Sequence, residues 1–273
     1  MQIIDCFMYF DEDLMLEVRL NTLFDHVDKF IICEATLDHS GKKKQLNFDI
    51  KKFEKFKKKI KYIIVDDLPI NVKKFKKNWH PAHCRDQFQR NALTRGFKDC
   101  NDNDLILISD LDEIPNPEKI SEFSKSNKYA CFVQKNFSLK LNLYNKSEPK
   151  WFGTRMCRKK DLVSPQWLRD IKAKNRPFYK FFKPKFDKFI NDGGWHFSSV
   201  KNAEGIYKKL DSYAEQQWNN DRFKNMDIIK RKIEKKEDLF DRNHKFEVIN
   251  IDSSFPNYIY KNKEKFKDFI YSD

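Results

Sequence analysis

Apolar and polar positions follow two rhythms in the first third of the chain. Residues 2–9 (QIIDCFMY) form a short apolar run that predicts a buried strand. Leu16, Leu20, Leu23 and Phe24 then recur at helical spacing, behind acids in the first turn, and predict a helix over 12–24. Residues 29–33 return to an apolar run, a second strand ending in Glu34. Strand, helix, strand is the opening of an α/β unit with a parallel sheet. Phe53, Phe56 and Ile60, set among lysines, predict a short amphipathic surface helix that feeds a third strand at 62–65. A helix follows over 83–97, and Leu105, Ile106, Leu107 and Ile108 are too few to be anything but a buried strand. Residues 129–144 and 151–159 alternate in part and read as longer strands, an antiparallel or mixed extension of the sheet. Residues 161–190, with Trp167, Arg169 and Arg176, read as irregular, and 203–236 as two helical segments broken near 219–221. The expected architecture is one α/β domain over 1–245, with 246–273 as a C-terminal extension packed on or beside it.

Composition narrows this picture. Of 273 residues, 40% are hydrophobic and 15% aromatic, which is globular rather than disordered. A net charge of +14 favours anionic partners, among them nucleotides, nucleic acid and acidic membranes, without choosing one. Six scattered cysteines lack the close pairs of a zinc framework or disulfide scaffold and read as reduced, mostly buried thiols. No stretch reaches the length of a membrane span and no leader pattern opens the chain, so the expectation is a cytoplasmic protein. The sequons at Asn136 and Asn145 matter only in a secretory compartment.

Chemistry concentrates where the strand at 105–108 stops. Ser109, Asp110, Leu111, Asp112 and Glu113 follow at once, and Pro115 and Pro117 end the segment. Acids just past the carboxyl end of a buried strand sit where open α/β sheets bind ligands. If the strand continues to 112, Asp110 and Asp112 point to one side and Leu111 to the other. Two such acids suit Mg²⁺ or Mn²⁺ shared with substrate phosphates; an ordinary solvated turn or helix cap is the rival reading. Glu34 lies at the same sheet edge, and Lys42, Lys43 and Lys44 follow close by, where phosphate could be neutralised. On the 83–97 helix Arg85 and Gln89 share a face and can reach a ligand, whereas Asp86 and Arg90 read as a surface ion pair. Asp192, Gly193 and Gly194 present Trp195 and His196. A metal-dependent phosphoryl-transfer enzyme or nuclease, and a non-catalytic nucleic-acid binder, also fit a basic chain. The first needs more converging carboxylates than are seen, and the second has no use for acids at a strand end.

Several stretches, in the same order, together resemble glycosyltransferase family 17, the β-1,4-mannosyl-glycoprotein β-1,4-N-acetylglucosaminyltransferase family. They are DCFMYFDEDLMLEVRLNTLFDHVDKFIICEAT, HSGKKKQLNF, RDQFQRNAL, LILISDLDEIP, and GGWHFS followed by KKLDSYAE, spanning residues 5 to about 215. The resemblance implies a GT-A-like, Rossmann-like mixed sheet flanked by helices, a UDP-N-acetylglucosamine donor, a divalent cation, a glycan acceptor and inversion at the anomeric carbon. The chain departs from the Golgi members in lacking their amino-terminal anchor and stem and in its basic charge, which leaves a bacterial-type or viral-type surface glycan as open as a glycoprotein.

On this joint reading Asp112, with Asp110 beside it, holds the cation on the diphosphate, and His196 is a further ligand or a phosphate contact. Glu34, Arg85 and Gln89 hold uridine and ribose, and Lys42 or Lys44 sits near the phosphates. Asp192 and Glu113 are the candidates for the base that takes the acceptor's proton, Asp192 preferred. Trp195 is either a platform for a sugar ring or a structural core residue.

Overall fold

The computed structural model describes the chain except residues 71, 73–79, 174–182, 213 and 273, so Arg176 lies outside the described residues. Strand β1 (Ile3–Met8), helix α1 (Asp13–Leu23) and strand β2 (Lys29–Ala35) follow in the expected order, with β1 and β2 parallel. Strand β3 (Ile60–Val65) adds parallel to β2, and β4 (Leu105–Ser109) adds parallel to β1 on its other side. The carboxyl ends of these four strands therefore share one edge.

Beyond β4 the sheet becomes mixed. Strand β8 (Lys150–Arg158) runs antiparallel to β4, and β6 (Tyr129–Ser138) antiparallel to β8. Then come β7 (Leu143–Asn145) and, paired with it, β11 (Phe246–Val248). Strands β9 (Lys188–Ile190) and β10 (Gly194–Ser198) run parallel to β6, and β10 also pairs antiparallel with the short β5 (Glu113–Pro115).

The parallel strands read as unbroken apolar runs because both faces are covered. Ile4, Cys6, Ile31 and Cys33 share one face with Leu93 and Phe97, while Phe7, Phe30 and Ile32 pack on the other against Leu16, Leu20 and Leu23 of α1. The molecule is thus a mixed α/β sheet flanked by helices.

Local chemistry moved several boundaries. The helix expected over 83–97 begins earlier, as α2 (Pro81–Ala92), because Pro81 suits the first helical position and His80 accepts the Ala82 N–H at 3.2 Å; it continues as a 3-10 turn, Leu93–Asp99. The strand expected over 129–144 breaks at Leu139, whose φ of 66° no extended strand accommodates. The lysine-rich segment Ile50–Lys59 is a 3-10 helix, burying only Phe53 and Phe56. A short helix, α3 (Pro165–Asp170), stands in the stretch expected to be irregular, and α4 (Ala203–Ser212) and α5 (Met226–Glu234) follow β10.

Residue 245 marks no structural break. After β11, the segment carrying α6 (Asn257–Lys261) inserts Phe255, Ile259 and Phe266 into the core formed by Leu16 and Leu20. The six cysteines are unpaired. No helix among the described residues is long and apolar enough to cross a membrane.

Candidate active site

A fully buried arginine shapes the acidic turn. Strand β4 stops at Ser109 rather than running on to 112, and the chain turns so that the Glu113 N–H meets the Asp110 carbonyl at 3.1 Å. Arg19 of α1 causes this. Its guanidinium forks onto Asp5 of β1 at 2.6 and 2.7 Å, and donates to the carbonyls of Asp110, Leu111 and Glu113 at 3.0–3.1 Å. Five donors in a rigid fork suit this task. Three carbonyls that a continuing strand would point at neighbours are collected at one point.

Asp110 and Asp112 both border one cavity, yet their surroundings differ. Asp110 accepts from Arg90 at 3.0 Å through one oxygen and from Arg169 at 3.0 Å through the other. Burial pushes its carboxyl up, but Arg169 and Arg90 outweigh burial and hold it below the usual range. Arg90 is therefore no surface ion pair: it is 7% exposed and bridges Asp86 and Asp110. Arg169 also forks onto Glu113 at 2.6 and 2.9 Å. Glu113 is fully buried and takes the Trp151 indole N–H at 2.7 Å and the Asp110 N–H at 3.0 Å. Burial raises its carboxyl too, and Arg169 again prevails and lowers it. Glu113 is a structural anchor, with no free lone pair aimed at a substrate, and does not suit the role of base.

Asp112 has no arginine. Its carboxylate lies 3.9 Å from the His196 Nε2. Burial raises the Asp112 carboxyl and lowers the His196 imidazole, so each resists charging without a counter-charge. The His196 tautomer is set by its other nitrogen. Asn136 donates its amide to the Glu148 carbonyl at 2.9 Å, which leaves its oxygen to accept from His196 Nδ1 at 2.9 Å. Nε2 therefore carries the lone pair on the Asp112 side. Trp151 stacks on the imidazole, centroids 4.2 Å apart at 15°. The β5–β10 register, Glu113 opposite His196, brings the two motifs together.

The donor set fits a divalent cation held by few protein ligands. Among the described residues no group of three or more His, Cys, Asp or Glu is placed to hold a metal ion. Asp112 and a neutral, oriented His196 are two ligands of suitable type, and Mg²⁺ or Mn²⁺ commonly takes the rest from phosphates and water. Each Asp110 oxygen accepts from one arginine and keeps a further lone pair on the cavity wall, so Asp110 is a weaker candidate than Asp112 rather than an excluded one.

The cavity holds about 410 Å³ and opens at the carboxyl edge of the parallel strands. Lys44, Gln89, Arg90 and Lys209 contribute to its wall with Asp110, Asp112, Trp151 and His196. Gln89 holds His39 at 2.9 Å. The other expected ligand contacts are placed differently. Glu34 is buried and accepts from Asn47 N–H, Phe48 N–H, the Tyr62 hydroxyl and Lys44, so its carboxylate fastens the 36–48 loop rather than facing the cavity. Arg85 donates to the carbonyls of His39, Pro69 and Ile70 and serves the same loops. Lys42 is exposed and pairs with Asp211 of α4 at 2.9 Å.

Asp192 and Trp195 do not border this cavity; both line a second one. Successive residues of a strand face opposite ways, so β10 sends His196 to one side and Trp195 to the other. Asp192 is thus separated from the acid pair, which removes the geometric basis for making it the base.

Acids, arginines and lysines gather over the carboxyl edge of parallel strands, where open α/β sheets bind their ligands. Residues 1–270 match the model of Glycosyltransferase family 17, and the chain belongs to that family. Membership of a glycosyltransferase family speaks against the nuclease and nucleic-acid-binder readings. Over 224 residues it is 25% identical to the Beta-1,4-mannosyl-glycoprotein 4-beta-N-acetylglucosaminyltransferases of Homo sapiens and Rattus norvegicus, covering 72% of this chain. The match takes in only 40% of the length of those relatives. A solved glycosyltransferase involved in the glycosylation of the major capsid of PBCV-1 aligns over 70% of this chain and 81% of its own, at 12% identity and a TM-score of 0.30.

Proposed function

We propose that this glycosyltransferase moves N-acetylglucosamine from a UDP-sugar to a hydroxyl of a glycan acceptor, with inversion, in the cavity bordered by Asp112 and His196. The observation that carries the reading is that pair: a carboxylate without a cationic partner of its own beside an imidazole whose lone pair is oriented toward it. The relatives' names supply the sugar, and the family resemblance supplies the uridine diphosphate. Asp112 and His196 would hold a divalent cation, which neutralises charge on the diphosphate leaving group. Arg90, Lys44 and Lys209 add fixed positive charge around the same phosphates. Asp110 orients Arg90 and Arg169 on the same cavity wall. The acceptor's proton goes to a carboxylate on this wall; with Asp86 and Asp110 tied to Arg90, Glu12 to Lys201 and two backbone N–H groups, and Asp38 to Ser40 and the Lys42 N–H, Glu215 is the candidate beside Asp112.

A second reading draws on the arginines. Guanidinium and lysine groups alone neutralise the diphosphate, no cation is used, and Asp112, whose carboxyl is raised by burial, accepts the proton. Release of UDP from UDP-N-acetylglucosamine, measured with Mn²⁺ and with chelator, separates the two. Loss of turnover in chelator supports the first, and full turnover in chelator supports the second. Failure to release UDP under either condition overturns both.

A further inference from the structure

The Asp192-Gly-Gly-Trp195 stretch, left without a role by the catalytic cavity, builds a different one. Gly194 has φ of 122°, and a Cβ there would lie 2.1 Å from the Ile114 carbonyl oxygen. Only glycine permits this close approach of β10 to β5. Asp192 itself takes φ of 47° and stands exposed at the tip of the turn. Behind the turn lies a cleft of about 660 Å³, closed on its far side by the end of α1 and by residues 253–262. That volume is within the roughly 300–1,000 Å³ of small-molecule sites.

We propose that this cleft is a second carbohydrate site, binding a neutral oligosaccharide on the face of β10 opposite the catalytic cavity. Charge argues for the ligand class. In a chain of net +14, the cleft balances Asp25, Glu118 and Asp192 against Lys55, Lys135 and Lys261. A site for nucleic acid or another polyanion would keep the positive excess. The remaining wall is carboxamide, hydroxyl and aromatic. Amides and carboxylates offer the paired donors and acceptors that vicinal hydroxyls need, and the partly exposed Tyr258 supplies apolar surface, while Trp195, 7% exposed, lies mostly in the core. Among the described residues the Asp25, Asp192 and Asn257 side chains have no protein partner, so their hydrogen-bonding capacity is free for a ligand. Trp195 is fixed by its indole N–H on the Ser254 carbonyl at 3.0 Å, a rigid rather than mobile wall.

The site is tested on the full chain by saturation-transfer NMR and calorimetry, with chitotetraose, mannopentaose and a heparin tetrasaccharide as probes. UDP and Mn²⁺ are present to fill the catalytic cavity. A neutral saccharide is expected to bind, to weaken at least tenfold in the double variant Asp25→Ala/Asn257→Ala, and to bind normally to Asp112→Asn. Both substituted positions are exposed, and circular dichroism checks that the double variant folds. No binding by either neutral saccharide, or preference for the heparin fragment, overturns the proposal. Binding lost in Asp112→Asn but kept in the double variant also overturns it, by placing the saccharide in the catalytic cavity. A separate titration of UDP into the same proteins reports on the catalytic site independently.

Discussion

Replacing Arg19 by Met tests whether one buried side chain both stabilises the fold and shapes the site. The substitution keeps much of the volume and removes the charge. It strands Asp5, fully buried, without its partner, and leaves the carbonyls of Asp110, Leu111 and Glu113 without their shared donor. Breaking a buried ion pair by removing one partner costs about 3–5 kcal/mol. Against a total stability of about 5–15 kcal/mol this is a large fraction. At about 2–4 °C per kcal/mol for a chain of this size, melting should fall by roughly 6–20 °C. Removing both charges, in Asp5→Leu/Arg19→Met, abolishes the stranded carboxylate, so most of the stability should return. The turn, however, still lacks its donor, and UDP release should stay at least tenfold below that of the native chain. Urea denaturation gives the first readout and UDP release the second. A single variant within about 1 kcal/mol of the native protein contradicts the burial reasoning. A double variant that regains both stability and turnover contradicts the role in shaping the turn.

Arg169→Met should also destabilise, and with an unusual pH dependence. Without Arg169, burial dominates and raises Glu113, so the variant's deficit should shrink as pH falls toward 4.5 and Glu113 takes a proton. In the native chain Asp110 and Glu113 are both lowered, so their contribution is present above their ordinary values of 3.8 and 4.5 and is lost as pH falls through their folded values. Asp112, raised by burial, acts in the opposite sense, its ionisation costing stability as pH rises from 3.8. Native stability measured by urea between pH 3 and 6 should nonetheless rise with pH, since Asp110 and Glu113, joined by other lowered acids such as Asp11, Asp211 and Asp238, outweigh Asp112; a falling curve contradicts these assignments. Asp192→Asn should leave UDP release within about twofold and stability within about 0.5 kcal/mol, because an exposed turn position at positive φ accepts Asn. A loss of turnover beyond tenfold returns Asp192 to the catalytic cavity.

What the chain reveals by pattern alone follows from range. The β1, α1 and β2 elements and the strand at 105–108 are legible because their signals are local: apolar runs, helical spacing and an abrupt acidic stop. The identity of the acid pair is legible for the same reason. Its internal division of labour is not, since Asp110 and Asp112 differ only through Arg90 and Arg169, 20 and 59 residues away. Arg19 did leave a trace. It lies three residues after Leu16 on the apolar stripe of α1, and Asp5 is a lone acid inside a buried strand. A charge on each of two surfaces bound to pack together announces a buried pair. Asp192 shows the opposite failure. Closeness in sequence to His196 suggested a shared site, whereas strand alternation sends the intervening Trp195 to the other face.

Calorimetric titration of UDP into native protein and Asp112→Asn, each with and without Mn²⁺, bears most directly on the proposed donor site. The proposal predicts binding by the native chain that strengthens at least tenfold with Mn²⁺, and loss of that strengthening in the variant. Native protein that fails to bind UDP whatever ion is supplied, or a variant that binds as the native chain does in Mn²⁺, contradicts it.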